Sequence, residues 1–420
     1  MATQTTTMES EPVRVSLKTE QPTLGELRNA IPDHCFERSA TRSLLYVARD
    51  VLYAGALIYA ASYIDSIPTG SLRVVAWTLY TFLQGCVGTG LWILAHECGH
   101  GAFSPSTRLN NFVGWALHSA LMVPYYSWKI THARHHRYTG HLTRDTAFVP
   151  YTESEFMESR KLSVLDQVHE LIEETPLATS VAHLLGHQLF GWQMYMFRYV
   201  SAGKESIPGV EDVSKARNLS HYAPNGTLWV PGQGLLIFLT DLGLLMTASV
   251  WGYVGWHYGW QKVVLLYVIP YFWVHHWLGM FFLHSLVTMQ ILTETVAITY
   301  LHHTHPSVPH FSPEKWSFTS GALCTIDRSF GFIGRHFMHE IIDYHVVHHL
   351  FPRIPFYHAQ EATEAIQPLL QEHYHETKDE SFLKSLVDTF HRCWYVSEDC
   401  GPGERQEGVY WWQTGKAKTQ

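Results

Sequence analysis

The chain has 420 residues, and only 16% of them are charged, where soluble domains carry about 25%. Its formal net charge of −8 excludes a basic face for nucleic acid, and its length admits either two soluble domains or one large membrane domain. The six cysteines, Cys35, Cys86, Cys98, Cys324, Cys393 and Cys400, form neither a C-x-x-C pair nor a secreted-domain pattern, which excludes a disulfide scaffold and reads as reduced thiols. Mean hydropathy is only −0.07, because the apolar residues are clustered.

In chain order, residues 1–24 are expected to form a disordered cytosolic tail, since the opening "MATQTTTMESEPVRVSLKTE" lacks the apolar core of a signal peptide. A span of the hydrocarbon core takes about 20 mainly apolar residues. Four stretches meet that requirement, at about 44–66, 74–95, 235–256 and 263–286. Short connections at Asp65–Arg73 and His257–Lys262 pair them into two hairpins. The stretches 111–126, 189–200 and 286–301 are too short or too mixed to cross, and suit helices lying in the membrane interface with Trp and Tyr at headgroup depth. The segment 127–230 carries ten Lys and Arg, among them Lys129, Arg134, Arg137 and Arg144, while the hairpin loops hold only Arg73 and Lys262. That bias predicts a cytosolic middle segment with both termini on the same side.

The chain contains 29 histidines, so a single His carries little information. His118, His169, His183, His187, His221 and His391 read as ordinary surface or core residues. Three clusters stand apart. "HECGH" places His96 and His100 at i and i+4, on one face of a helix. "HARHH" (His132, His135, His136) and "HVVHH" (His345, His348, His349) repeat the spacing H-x-x-H-H. The predicted topology puts all three clusters on one membrane face. Eight neutral imidazoles suit Fe, Zn, Cu or Ni and are too many for one ion. The expected arrangement is two metals, each held by one triplet, with the His96–His100 pair shared between them.

Carboxylates are scarce around the clusters, in contrast to the Glu-rich dinuclear sites of soluble bundles. No Ser or Cys nucleophile motif and no Gly-rich phosphate loop is present, which leaves the chemistry to the metal. An acyl chain is the substrate expected at a lipid interface. Its C–H bonds need a strong oxidant, which iron with dioxygen supplies. Two rivals exist. "HECGH" also fits the H-E-x-x-H zinc protease pattern with Glu97 as general base, but that reading leaves both triplets unexplained. A metal carrier would want polar residues within its spans, where Asp241, His275, His276 and His284 are the available ones; these His read as interfacial or packing residues.

The stretches "AHECGHGAF", "HARHHRYTGHLTRD" and "DYHVVHHLFPRIPFYHAQEAT" resemble the histidine boxes of the membrane-bound fatty acid desaturases, and "AIPDHCFERS", "YLHHTHPSVPHF" and "CTIDRSFGFIG" are similar to the fungal and plant acyl-lipid Δ12 (oleate) branch. The resemblance covers residues 25–410. It implies an all-α integral membrane enzyme with a cytosolic helical cap holding a dinuclear iron site with nine histidine ligands: His96, His100, His132, His135, His136, His345, His348, His349 and a ninth. The ninth maps to His303, with His305 as competitor and His302 a weaker one. Thr299 stands where relatives carry Asn. Asp145 and Asp343 flank the boxes and would either orient imidazoles or cap helices.

The resemblance further implies an O2-dependent reaction on phospholipid-linked oleoyl chains, in which two hydrogens leave adjacent CH2 groups and a cis double bond gives linoleoyl. Electrons would come from NADH through cytochrome b5 and its reductase, as separate proteins, because no H-P-G-G motif of a fused cytochrome b5 domain occurs here. Hydroxylases, epoxygenases, acetylenases and Δ15 or bifunctional desaturases share the three-box pattern. Trp92, Tyr125, Tyr126, Trp128 and Trp277 lie near the boxes and read as interface anchors. Residues 411–420 form a tail whose K-x-K-x-x ending, Lys416 and Lys418, resembles an endoplasmic reticulum retrieval signal.

Overall fold

The computed structural model describes residues 20–161, 191–277, 297–401 and 404–414. The tail, His169, His183, His187, His284, the end of the fourth expected span and the two C-terminal lysines lie outside these residues, as do the side chains of His276, Trp277 and His391.

Helix α1 (Leu24–Ala30) opens on a capping box, in which the Thr23 hydroxyl accepts from Glu26 N–H and the Glu26 carboxylate accepts from Thr23 N–H. Helix α2 (Ala40–Ala61) starts at Ser39, whose hydroxyl accepts from Arg42 N–H. Helix α3 (Gly70–His100) has 31 residues and stops at Gly101, which adopts φ 74°. At 1.5 Å per residue its length is about 46 Å, against about 30 Å of hydrocarbon. The helix is therefore roughly three turns longer than the apolar layer is thick, and His96 and His100 lie in its final five residues. Helices α4 (Thr107–Ala120), α5 (Tyr125–Tyr138) and α6 (Glu153–Lys161) follow, and later α7 (Gly234–Tyr258). After Gly259 the chain re-enters helix as α8 (Trp260–Val263), passes through a π turn (Val264–Val268) and continues as α9 (Ile269–Trp277).

Among the described residues, three helical segments are long and apolar enough to cross a membrane: Ala40–Ser66, Gly70–His100 and Gly234–Tyr258. Their outward faces carry exposed apolar side chains, including Leu45, Leu52, Val74, Leu235 and Leu245, a belt that lipid rather than water would cover. The fourth expected span is described only as far as Trp277. The two interhelix links meet at one end of the bundle, where Lys262 pairs with Asp65 and Trp77 Nε1 donates to Asp65. Close approach of α9 to α3 depends on Gly85, where a Cβ would collide with the Trp273 side chain.

The opposite end holds the cap. It is built from α10 (Ala297–His303), α11 (Phe318–Ala322), α12 (Gly331–Phe337), α13 (His345–Leu350), α14 (Ala359–Leu370) and α15 (Phe382–Arg392) together with α5 and α6. The expectation of an all-α chain needs amendment. Strand β7 (Val409–Gln413) pairs antiparallel with β1 (His310–Phe311) and with β4 (Tyr395–Ser397), His310 facing Tyr410 and Val396 facing Trp412. Strand β2 (Asp327–Arg328) runs parallel to β3 (Glu376–Thr377), and β5 (Asp399–Gly401) with β6 (Glu404–Arg405) forms a small hairpin. These strands have two to five residues, too short to leave an alternating pattern in sequence. Because β7 buries Trp411 and Trp412, ordered structure extends past the expected boundary at 410.

The expected interfacial helices also differ. The stretch 111–126 is not one helix but the end of α4, a turn at Leu121–Pro124 and the start of α5. Trp115 Nε1 of α4 donates to Leu239 O, and Tyr126 N–H donates to Thr240 Oγ1, so this corner is docked on α7. In the second stretch Trp192, Tyr195, Met196 and Tyr199 are buried in the main core, with Trp92, Trp128 and Phe148. Interior packing, not headgroups, takes up these aromatic faces. Hydropathy counts cannot separate the two, because an amphipathic ring satisfies either.

Candidate metal centre

Helix α3 brings His96 and His100 to the base of the cap, and the one-turn offset stacks them with Nε2 atoms 3.1 Å apart. Helix α5 supplies His132, His135 and His136, and α13 supplies His345, His348 and His349. His303 comes from the last turn of α10. Two groups result. His96, His100, His132, His136 and His348 each direct one ring nitrogen to a common point, all within 4.8 Å of one another, and His135, His303 and His349 do the same. His345 joins the second group, its Nε2 standing 3.3 Å from that of His303, which is itself 3.3 Å from His135 Nε2.

This partition differs from the expected one. The pair on α3 is not shared but belongs wholly to the first group. The triplets are instead split, α5 giving two imidazoles to the first group and one to the second, and α13 the reverse. Helix geometry explains the split. Residues i and i+4 lie about 40° apart around the axis, while i+3 lies about 100° from i+4. Each helix therefore stands between the two groups and serves both.

His305 and His302 do not join either group. His305 Nδ1 accepts from Ser307 N–H within its own turn. His302 Nε2 lies 3.1 Å from Ile342 O, its ring stacked on His345 at 4.1 Å.

Two imidazoles have partners that fix their tautomer. His135 Nδ1 donates to Asp145 Oδ1 at 2.6 Å, and that carboxylate also accepts from the Gly140 and Ala147 N–H groups. His349 Nδ1 lies 3.1 Å from the Thr139 hydroxyl, which donates to His135 O. In both rings Nε2 is left free to act as a donor of electrons. Asp343 is placed differently: its Oδ2 is buried without a hydrogen-bond partner and faces Gly334 of α12. Thr299 lines the adjoining cavity.

Three further residues were not singled out in sequence. Thr139 has no motif of its own. Asp327 is fully buried, and its carboxylate accepts from Val346 N–H at 2.8 Å in the first turn of α13 and from the Tyr374 hydroxyl at 2.6 Å. Burial pushes its carboxyl up to about 7 against the pull of those bonds. Its signal was its place in "CTIDRSFGFIG". Phe148 has φ 59°, a conformation costly for a side-chain-bearing residue and found at constrained sites; its ring stacks on His303 at 4.8 Å.

The residues fit metal on three grounds. Ring nitrogens converge with no carboxylate or ammonium between them. His348 Nε2 and His349 Nε2 are buried without a hydrogen-bond partner, a costly state unless something binds there. Burial, reinforced by neighbouring imidazoles, also holds His132, His136, His303, His345, His348 and His349 well below their usual 6.5. That keeps them neutral, the form that ligates.

A cavity runs from the membrane helices to both groups. Its walls include Thr89, Trp92, Ile93, Trp128, Trp192 and Tyr195, and its floor includes His96, His132, His135, His303 and His345. Trp92 stacks near His96 and Trp128 on His132 at 4.4 Å, so these two indoles are cavity wall, not interface anchors. Glu97 does not face the cavity; its Oε2 accepts from Phe356 N–H at 3.1 Å. Its Oε1 lies 3.5 Å from His96 Nδ1, so the carboxylate sits behind a ring of the first group and not where a protease's general base would face a substrate. His118, His221 and His275 serve packing, bonding Trp92 O, bonding Met196 O and stacking on Trp192 respectively.

Fold and site together define a class: a membrane protein of apolar helices whose inner cavity ends on clustered imidazoles able to bind metal. The model of the fatty acid desaturase family matches residues 73–380. A Δ(12) fatty acid desaturase of Mortierella isabellina is 41% identical over 383 residues, covering 90% of this chain and 88% of its own. An oleate hydroxylase of Claviceps purpurea is 38% identical over 402 residues, 93% of this chain and 80% of its own. An omega-6 fatty acid desaturase, endoplasmic reticulum isozyme 1, of Glycine max is 38% identical over 391 residues, 93% and 90%. The chain belongs to the fatty acid desaturase family, whose members are oxidoreductases.

Proposed function

We propose that the enzyme introduces a cis double bond at the Δ12 position of phospholipid-linked oleoyl chains, giving linoleoyl. The observation that carries this is the apolar, aromatic-walled cavity ending on two groups of imidazoles, in a chain 37–41% identical to proteins named Δ12 or omega-6 desaturases. Two iron ions are the cofactors, one held by His96, His100, His132, His136 and His348, the other by His135, His303, His345 and His349. All-imidazole donors suit iron. Bound there, they supply with O2 the oxidising power that an unactivated C–H bond requires.

The chain's own residues do the rest. Trp92, Ile93, Trp128 and Trp192 line a path that binds an acyl chain by apolar area and excludes water. The Asp145 carboxylate and the Thr139 hydroxyl hold the Nδ1 protons of His135 and His349, so that both present Nε2 inward. Trp128, stacked on His132, and Phe148, stacked on His303, limit ring rotation. Asp327 anchors the start of α13 and with it three of the nine imidazoles.

Four membrane crossings in two hairpins, with both termini and the cap on the cytosolic side, agree with the Lys and Arg bias and with the meeting of both links at the far end of the bundle. The endoplasmic reticulum is the proposed location, supported by the name of the Glycine max relative and by Lys416 and Lys418. NADH-derived electrons arrive through a separate cytochrome b5 docking on the cap.

Hydroxylation of the same carbon region is the second reading, favoured by the oleate hydroxylase relative. Expression in a yeast that makes monounsaturated but no polyunsaturated acids decides between them by gas chromatography–mass spectrometry with a double-bond-locating derivative. A diene with bonds at carbons 9 and 12 supports desaturation. A hydroxy acid in its place supports the second reading. Neither product, from protein intact in the membrane, overturns the oleoyl assignment.

A further inference from the structure

A second set of metal-ligating side chains lies away from the cavity, where the N-terminal arm meets the start of α14. His34, Cys35, His358 and Glu361 each offer one ligand atom, all four within 4.8 Å of one another. His34 and Cys35 sit on a short 3-10 turn, Asp33–Phe36, and His358 and Glu361 on the entry to α14. His34 Nε2 is 2.8 Å from Glu361 Oε2 and 3.8 Å from Cys35 Sγ. We propose that His34, Cys35, His358 and Glu361 form a structural zinc site that clamps the N-terminal arm to the cap.

The donor set selects the ion. Imidazole, thiolate and carboxylate are each donor types that zinc takes, and the four together match the coordination number of its closed sites. At Zn–N and Zn–O distances of about 2.0–2.1 Å and Zn–S of about 2.3 Å, a tetrahedron with one sulfur has donor–donor edges of roughly 3.3–3.6 Å. The His34–Glu361 and His34–Cys35 separations of 2.8 and 3.8 Å bracket those values, and closure is left to the half-exposed His34 and Glu361 side chains. His34 and Glu361 are about half exposed, which gives the ion a path from solvent. Cys35 is fully buried and forms the floor.

Charge balances. The thiolate and carboxylate together neutralise the ion, so the site carries no net charge at the edge of an apolar core. Burial, and after it the Glu361 charge, push the Cys35 thiol up to about 11. Without metal the thiol keeps its proton, and binding must release it to solvent.

The location gives the site its purpose. Leu27, Ile31 and Cys35 of the arm share one core with Val346, Val347 and Leu350 of α13 and with Ala362 and Ile366 of α14. An ion at the rim of that core fixes the arm against the helix that carries His345, His348 and His349.

Thiolate makes the test specific. The two imidazole groups contain no sulfur donor, so thiolate-to-metal absorption cannot come from them. The zinc of the purified full-length holoenzyme in nanodiscs is exchanged for Co2+ by dialysis, with metal analysis confirming the exchange. The expected result is near-ultraviolet sulfur-to-cobalt absorption with the visible bands of a tetrahedral ion, abolished by Zn2+ and missing in Cys35→Ser. Metal analysis should show His358→Gln and Cys35→Ser each losing about one equivalent of zinc with iron unchanged. Cobalt binding without the sulfur band in the wild type overturns the site, and that measurement stands even if Cys35→Ser fails to fold. Equal zinc in wild type and both variants overturns it as well.

Discussion

Asp145 shows how much one carboxylate can decide. It accepts from His135 Nδ1–H and from two backbone N–H groups, so its role is to fix both a tautomer and the bend at Gly140. Asp145→Asn keeps the volume but presents an amide that can turn its N–H to the ring. Removing partners of this kind costs about 10–100-fold in metal affinity or activity, and that loss is expected here in product yield, with iron content falling alongside. Asp145→Ala should be worse and also destabilising, since Gly140 and Ala147 N–H are left unpaired. If Asp145→Asn retained full iron and turnover, the bond would be incidental. His303 and His305 provide a sharper contrast two residues apart. His303→Ala should lose iron and activity; His305→Ala should keep both, because its ring nitrogen is engaged with Ser307. Iron analysis beside product yield reads the difference.

Among the elements, α13 depends most on its surroundings. It has six residues, far too few to be helical by propensity alone, yet it carries three imidazoles. Packing of Val346, Val347 and Leu350 and the carboxylate of Asp327 on Val346 N–H hold it in place. Asp327→Ala leaves that N–H without its buried partner, a loss of about 1–3 kcal/mol for an orphaned group, and leaves the Tyr374 hydroxyl with the weaker acceptor Glu376 at 3.3 Å. It should lower the melting temperature and the iron content together. Asp327→Asn can still accept from Val346 N–H and should be milder; equal damage from both would mean that charge rather than the hydrogen bond matters. Helix α3 makes a different demand. At Gly90 a Cβ would meet Phe337 O and lie 2.9 Å from Asp50 Oδ2 and 3.2 Å from His339 Nε2. Asp50 and His339 form a buried pair at 2.8 Å. Gly90→Val should therefore separate α2, α3 and α12 and reduce folded protein in the membrane, while Gly55→Ala, where a Cβ meets nothing, should not. Fluorescence-detected size exclusion of the two variants checks this.

For the whole molecule the main electrostatic fact is a buried cluster of neutral imidazoles. Burial holds the cap members below 6.5 in the folded state, whereas an unfolded histidine takes up its proton near 6.5. Below that pH the unfolded chain binds more protons than the folded one. Stability of the metal-free protein is thus complete above about pH 6.5 and declines as pH falls below it, by up to about 1.4 kcal/mol per pH unit for each such imidazole. Melting of the metal-stripped enzyme, followed by tryptophan fluorescence between pH 7.5 and 5.5, should show the midpoint dropping steeply below 6.5. A flat profile would mean that the cluster opens or protonates without unfolding.

The sequence by itself determined the features set by local pattern. Apolar runs marked the long helices, α7 nearly to its observed limits and α3 short by four residues at its start and five at its end. The spacings H-x-x-x-H and H-x-x-H-H placed eight imidazoles on helix faces before any packing was known, because side-chain direction on a helix follows from 3.6 residues per turn. The family resemblance carried over to His303, which the fold sets among the others and His305 among its own loop atoms. Only the tertiary structure decided how the imidazoles divide, since that depends on where α5 and α13 stand relative to each other. The same holds for the buried aromatics of 191–199 and for Trp92 and Trp128, whose apolar faces suit lipid headgroups or a protein cavity equally well in composition. Asp327 and Thr139 were unreadable for a related reason: each acts on a partner distant in sequence, across 19 and 210 residues, and no local periodicity records a contact of that range.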